Sequence, residues 1–190
     1  MRYNSNGIVP YTQDYCPEKY RYTISQMTGE TGMEQDANAQ PPVTALLVLG
    51  CPQVPVQTSI ALYLVSRFAK AGMTPVIAGN KAANTLLLVA DPDRHYLGEI
   101  MDLDRAVAQI TEKKRDFDRC LVFIHNDAGI SYAATMGAIS KAKLYVLVYG
   151  EHQDELVQQI TFPCVKIAAK AVHNPMPLKK AIDEVAPWAV

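Results

Sequence analysis

Apolar positions along most of the chain fall into two alternating rhythms. Thr44–Leu49 is a continuous apolar run of strand length, the form taken by a central parallel strand covered on both faces. The turn Gly50-Cys51-Pro52-Gln53-Val54 follows, and Pro55 suits a first helical position, where its missing N–H costs nothing. Val56, Ile60, Leu64 and Phe68 then recur on one helical face, and Gly72 closes the segment. Strand, sharp turn and helix are thus predicted in sequence.

The cadence repeats to the end of the chain. Thr74–Ala78 predicts a second strand, followed by Gly79-Asn80 and a helix through Leu86, Leu87 and Val89 that Asp91-Pro92 stops. A short strand near Glu99–Met101 precedes a helix carrying Leu103, Val107 and Ile110, with Asp102 as its N-cap. Cys120–Ile124 predicts another buried strand, ending at His125-Asn126-Asp127. The helix after it, over Gly129–Ser140, carries Ala133, Ala134, Gly137 and Ala138, small residues that permit close approach to a sheet or to another helix. Lys143–Val148, a helix with Leu156, Val157 and Ile160, and a last strand at Cys164–Ala168 continue the series. Asn174 and Pro175 open a final helix through Leu178, Ile182 and Val185, which Pro187 ends. Five or six strands alternating with helices predict an α/β protein, a three-layer α/β/α sandwich around a mainly parallel sheet. Ligands of such sheets bind outside the carboxyl ends of the strands, which selects the loops to inspect.

Residues 1–42 break the rhythm. They are polar, end in Pro41-Pro42, and hold Tyr3, Tyr11, Tyr15, Tyr20 and Tyr22, half of the chain's ten tyrosines. A disordered arm is normally poor in aromatics, whereas Tyr offers contact area with a polar tip. The reading is an arm and linker over 1–42, lying on its own domain, a twin subunit or another protein, or else hanging loosely, ahead of a single domain over 43–190.

Composition narrows the classes of function. Of the 190 residues, 49% are hydrophobic and 19% charged, which is globular usage. A formal charge of −1 gives no field favouring nucleic acid or an anionic membrane, so neither is expected as a partner. The longest apolar stretch is interrupted by Pro52, Gln53, Pro55 and Gln57, and the first residues lack a signal-peptide core. Cys16, Cys51, Cys120 and Cys164 form no C-x-x-C pair, which argues against zinc ribbons, ferredoxin motifs and thioredoxin-type sites. Together these features predict a cytoplasmic protein with reduced thiols and no assigned metal site.

The strand-end loops collect the candidate chemistry: Cys51, Asn80, His125, Asn126, Asp127, His173 and Asn174. Cys51 precedes a helix N-terminus, where the dipole lowers a thiol pKa, and a nearby His would complete a thiolate–imidazolium pair or, with Asp127, bind a metal. Set against this is a small semi-buried thiol in a turn shaped by prolines. Asn126 or Asp127 serves equally as a helix cap, and Asn174 as the cap before Pro175. Cys120 and Cys164 begin strands, so packing is their default, while His95 and His152 lie in charged, exposed surroundings. Absences count too. The chain has no G-x-G-x-x-G after a strand, no G-x-x-x-x-G-K-[ST], no G-x-S-x-G and no H-E-x-x-H.

Leu49-Gly50-Cys51-Pro52, Pro55-Val56-Gln57, Asn126-Asp127-Ala128 and His173-Asn174-Pro175 together resemble a domain-of-unknown-function family of methanogenic archaea with a Rossmann-like α/β/α fold. The resemblance runs from Val43 to the C-terminus, and the LGCP-x-x-PVQ run, which adds Gln57 to the candidates, is its most specific part. It implies an archaeal, methanogen-associated protein of that fold without an assigned reaction; the resemblance does not carry the role of His125, which rests on geometry alone. The leading reading is a protein that binds a small ligand or cofactor, of a class the sequence leaves open, at the strand carboxyl edge around Cys51. The alternatives are a non-catalytic assembly or accessory subunit of a methanogenic enzyme complex, with a homodimer as its milder form, and a thiol-dependent enzyme using Cys51.

Overall fold

Thr44–Leu49 (β1) has no face left for water. Ala45, Leu47 and Leu49 pack into one hydrophobic core and Leu46 and Val48 into another, so both sides of the strand are covered. The computed structural model of the chain describes residues 42–185 and places β1 inside a six-stranded sheet. The arm expected over residues 1–42 lies, but for Pro42, outside the described residues, as does Pro187.

After β1 the elements follow the expected order. They are α1 (Val56–Lys70), β2 (Thr74–Gly79), α2 (Lys81–Ala90), β3 (Glu99–Asp102), α3 (Leu103–Thr111) and β4 (Arg119–Ile124). Then come α4 (Asp127–Ile139), β5 (Lys143–Tyr149), α5 (Gln153–Gln159), β6 (Val165–Ala169) and α6 (Met176–Val185). The strand order is β3-β2-β1-β4-β5-β6 and every pairing is parallel. Helices α1, α2 and α6 supply the core on one face, and α3, α4 and α5 the core on the other. The fold is therefore the α/β/α Rossmann-like sandwich, with a sheet that is wholly rather than mainly parallel.

Element ends differ from the sequence reading where a cap decides. Helix α4 starts at Asp127, ahead of Gly129, because the Asn126 side chain accepts from the Gly129 N–H at 3.2 Å. Pro55 is the residue before α1 rather than its first. Strand β6 begins at Val165, one position after Cys164. Asp102 does cap α3, accepting from Asp104 N at 2.9 Å and Arg105 N at 3.4 Å. Asp91 does more than stop α2. Its carboxylate is buried and accepts from the backbone N–H groups of His95, Tyr96 and Leu97, each at 2.9 Å, which shapes the turn into β3. Burial alone would raise its pKa; the three N–H groups outweigh burial and hold it below the usual carboxylate range.

The small residues of α4 do let it sit close to the sheet. A Cβ on Gly129 would stand 2.9 Å from Ile124 Cα and 3.0 Å from the Phe123 carbonyl oxygen, both backbone atoms that cannot give way. A Cβ on Gly137 would meet only the end of the Leu144 side chain, at 3.3 Å. Gly129→Ala is expected to cost about 1–3 kcal/mol by overpacking. Gly137→Ala should be neutral or stabilising, since Ala is favoured over Gly in a helix by about 1 kcal/mol. Urea unfolding of the two variants checks the contrast, and equal stabilities would contradict the close approach at Gly129.

Candidate functional site

From β1 the chain winds outward to β2 and β3, then crosses back to place β4 on the other side of β1. The connections leaving β1 and β4 thus run to opposite faces, the topological switch point at which sheets of this kind commonly have a crevice beyond the carboxyl ends of the strands. Residues Gly50–Pro55 leave β1 here, and His125 and Asn126 leave β4.

Behind the crevice lies a connected set of polar side chains. Gln57, on the first turn of α1, is 1% exposed, and its Nε2 donates to the Gly50 carbonyl at 3.2 Å. The Tyr149 hydroxyl, at the end of β5, donates to Gln57 Oε1 at 2.8 Å and stands 3.3 Å from His125 Nδ1. The rings of His125 and Tyr149 are tilted at 40° with centroids 5.6 Å apart, and Phe123 meets Tyr149 edge to face at 6.2 Å. On the far side of the imidazole, Asn126 Nδ2 lies 3.3 Å from His125 Nε2. Gly150 adopts φ 109°, a conformation favouring glycine, and a Cβ there would be 3.8 Å from His125 Cβ. The network joins the β1, β4 and β5 ends into one structure.

Burial sets the electrostatics of this set. Tyr149 is fully buried, which pushes its phenol well above the ordinary value. His125 is half-buried, and desolvation of the imidazolium lowers its pKa below 6.5. The amino end of α1 has no side-chain cap and no acidic residue in its first turn, so the positive end of the helix dipole faces the Cys51 loop unopposed by charge.

The structure places the sequence candidates unequally. Cys51 is exposed and adjoins Gly50, where the network ends; Gln57, His125 and Asn126 belong to that network. Asn80 sits beside the same edge, its backbone N–H donating to the Leu49 carbonyl at 3.3 Å, while its side chain caps α2 through Ala83 N at 2.9 Å. Asp127 is exposed in the first turn of α4. His173 and Asn174 are exposed beyond β6, at the sheet edge and three strands from β1. Asn174 Oδ1 accepts from Met176 N at 3.0 Å, the capping role expected for it.

Tyr149 and Tyr132 are the residues that sequence reasoning missed. A tyrosine closing an otherwise apolar buried strand must pair its hydroxyl, and that was the available signal for Tyr149. Tyr132, on α4, brings its ring within 3.7 Å of where a Gly50 side chain would begin. The other thiols are placed for packing: burial drives Cys120 up to about 12 and also raises Cys164. Among the described residues no cluster of three or more His, Cys, Asp or Glu side chains is arranged to hold a metal ion. A cavity of about 410 Å³, lined by Lys113, Lys114, Arg115, Asp116 and Lys141, lies at the amino-terminal end of β4 and β5, away from the crevice.

Residues 46–185 match the model of a family described as a domain of unknown function, DUF1890. An uncharacterised protein of Methanocaldococcus jannaschii, MJ0452, is 33% identical over 147 residues, covering 75% of this chain and 97% of the relative. The solved structure of MT0777 is similar at a TM-score of 0.69 with 35% identity, covering 76% of this chain and 99% of that one.

Two outcomes follow from the network. Tyr149→Phe leaves Gln57 Oε1 without a donor in a buried setting and should cost about 1–3 kcal/mol in urea unfolding. Adding Gln57→Leu should then cost less than the sum of the single changes, because the orphaned acceptor is gone. The second outcome concerns pH. The unfolded chain protonates His125 near 6.5, above the lowered folded value, so stability is full above that pH and falls as pH drops below it. Thermal midpoints should fall as pH is lowered from about 7 to 5 in the wild type and flatten in His125→Gln. The lowered carboxylates Asp91, Glu99, Asp116, Asp118, Glu151 and Asp183 act at more acidic pH, in both proteins alike.

Proposed function

The chain belongs to the DUF1890 family, and from that premise we propose that it binds a small ligand at the carboxyl edge of the sheet, in the crevice between the β1 and β4 ends. The observation that carries this reading is the buried Gln57–Tyr149–His125 network ending under the Cys51 loop. Burying an amide, a phenol and half an imidazole costs free energy that apolar residues would not incur. Their arrangement fixes the shape of two loops where parallel sheets commonly hold ligands. Cys51 is an exposed thiol next to Gly50, and Asn80 and Asn126 follow the two strands that flank β1. A cytoplasmic setting agrees with a reduced Cys51, and Cys51 then serves as a contact, or as the nucleophile if a reaction occurs.

A second reading has its own observation. Leu86, Leu88 and Val89 of α2 and the nearby Tyr96 are exposed. An apolar helix face of this kind favours a protein partner or a second copy of the chain, the accessory-subunit reading, and the two readings are compatible in one molecule.

The leading reading is tested by backbone amide spectra of the whole chain titrated with nucleotides, phosphorylated coenzymes and thiol cofactors. A binder is expected to shift amides at Gly50–Gln53, His125–Gly129 and Tyr149–Gly150, and to lose its effect after alkylation of Cys51. Shifts confined to the lysine-lined cavity at the opposite edge, or none from any probe, would overturn it.

A further inference from the structure

The polar chain behind the crevice has a direction, because both of its ends are backbone groups of fixed polarity. At one end the Gly50 carbonyl only accepts, so the Gln57 atom 3.2 Å from it is the amide nitrogen. This leaves Gln57 Oε1 facing the Tyr149 hydroxyl at 2.8 Å, and the hydroxyl proton is committed there. The Tyr149 oxygen then offers only lone pairs to His125 Nδ1, 3.3 Å away. At the other end the Gly129 N–H only donates. It is shared between the Asn126 backbone carbonyl at 3.0 Å and Asn126 Oδ1 at 3.2 Å, and with Oδ1 facing this donor the Asn126 amino group is turned toward His125 Nε2 at 3.3 Å. An amide nitrogen has no lone pair to accept with. Reasoning from either end therefore demands the same ring, with Nδ1 protonated and Nε2 bare.

We propose that Gln57, Tyr149 and Asn126 are positioning residues that hold His125 as the neutral Nδ1–H tautomer and present Nε2 as the acceptor atom of the carboxyl-edge site. The use of that atom rests on the ligand-binding reading; the tautomer itself does not. A functional histidine is commonly oriented by a carboxylate or carbonyl on its second nitrogen. Here a phenol oxygen, itself fixed through a buried amide, fills that place without adding charge, so the ring is oriented and still a weak base. The lowering of the His125 pKa by burial agrees with a neutral ring. The arrangement also selects the ligand. A bare Nε2 accepts a hydrogen bond, so the group arriving there in place of Asn126 is a donor such as a hydroxyl, a thiol or an azole N–H. A carboxylate or phosphate oxygen would face lone pair against lone pair.

Ring-nitrogen spectra of the full chain labelled with ¹⁵N-histidine, recorded near neutral pH without ligand, test the relay directly. The His125 signals are those that disappear in His125→Gln. The expected pattern has Nδ1 in the protonated range and Nε2 in the unprotonated range; an Nε2–H or averaged pattern in the wild type would overturn the proposal. Tyr149→Phe combined with Asn126→Ser, which keeps an oxygen able to cap α4, removes both constraints and should release the ring to an averaged or Nε2–H pattern; an unchanged Nδ1–H pattern in that variant with native-like amide spectra would also overturn it. Asn126→Asp keeps the oxygen that caps α4 but replaces the donor by an acceptor. It should place a proton on Nε2 and raise the His125 pKa by about one unit or more; an unchanged tautomer and titration would count against the relay. These spectra need no ligand, so they can fail while the cofactor titration succeeds, and the reverse.

Discussion

The structure depends on β1 being covered on both faces. Its side chains from Ala45 to Leu49 are at most 1% exposed and feed two separate cores. A strand with no polar face cannot stand at an edge, so further strands pair with it on either side and helices cover it above and below. The crossover from β3 back to β4 is the topological consequence, and it leaves the ends of β1 and β4 without a shared roof. The place proposed for a ligand thus follows from the same burial that stabilises the sheet.

Much of this fold is legible in the chain because its signals are local. Val56, Ile60, Leu64 and Phe68 repeat at helical spacing, and all are buried against the sheet. The apolar runs at β1, β4 and β5 likewise become its central strands. Strand order is another matter. Two equally apolar runs carry no mark of which is the other's neighbour, and pairs such as Leu46 and Cys120 are far apart in sequence. Element ends shift where a side chain competes with periodicity, as Asn126 does by starting α4 at Asp127.

The candidate site is legible only in part, for a related reason. Cys51, Asn80, His125 and Asn126 stand out because each follows a strand, and the parallel-sheet rule points at such loops. Gln57 stands out only within the run it shares with Pro55 and Val56. Tyr149 escaped because its partner Gln57 is 92 positions away and its hydroxyl gives no local sign of being paired. The candidates beyond β6 share the sheet edge with the others without sharing the network, a separation that depends on strand order and so lay beyond reach of the sequence. Capping explains the side chains of Asn80 and Asn174, whereas Asn126 caps a helix and touches the imidazole at once.

The Asp91 carboxylate gathers N–H groups only four to six positions further along the chain. Closing so short a loop costs little chain entropy, so this turn can take shape before distant segments meet. Strand β3, which it delivers, is four residues long and sits at the outer edge of the sheet. Few contacts hold so short a strand, and it gains most from arriving already aimed. A preformed corner at Asp91 converts the docking of β3 from a search into a local rearrangement. It allows the outermost strand to be added late without being the slow step of assembly.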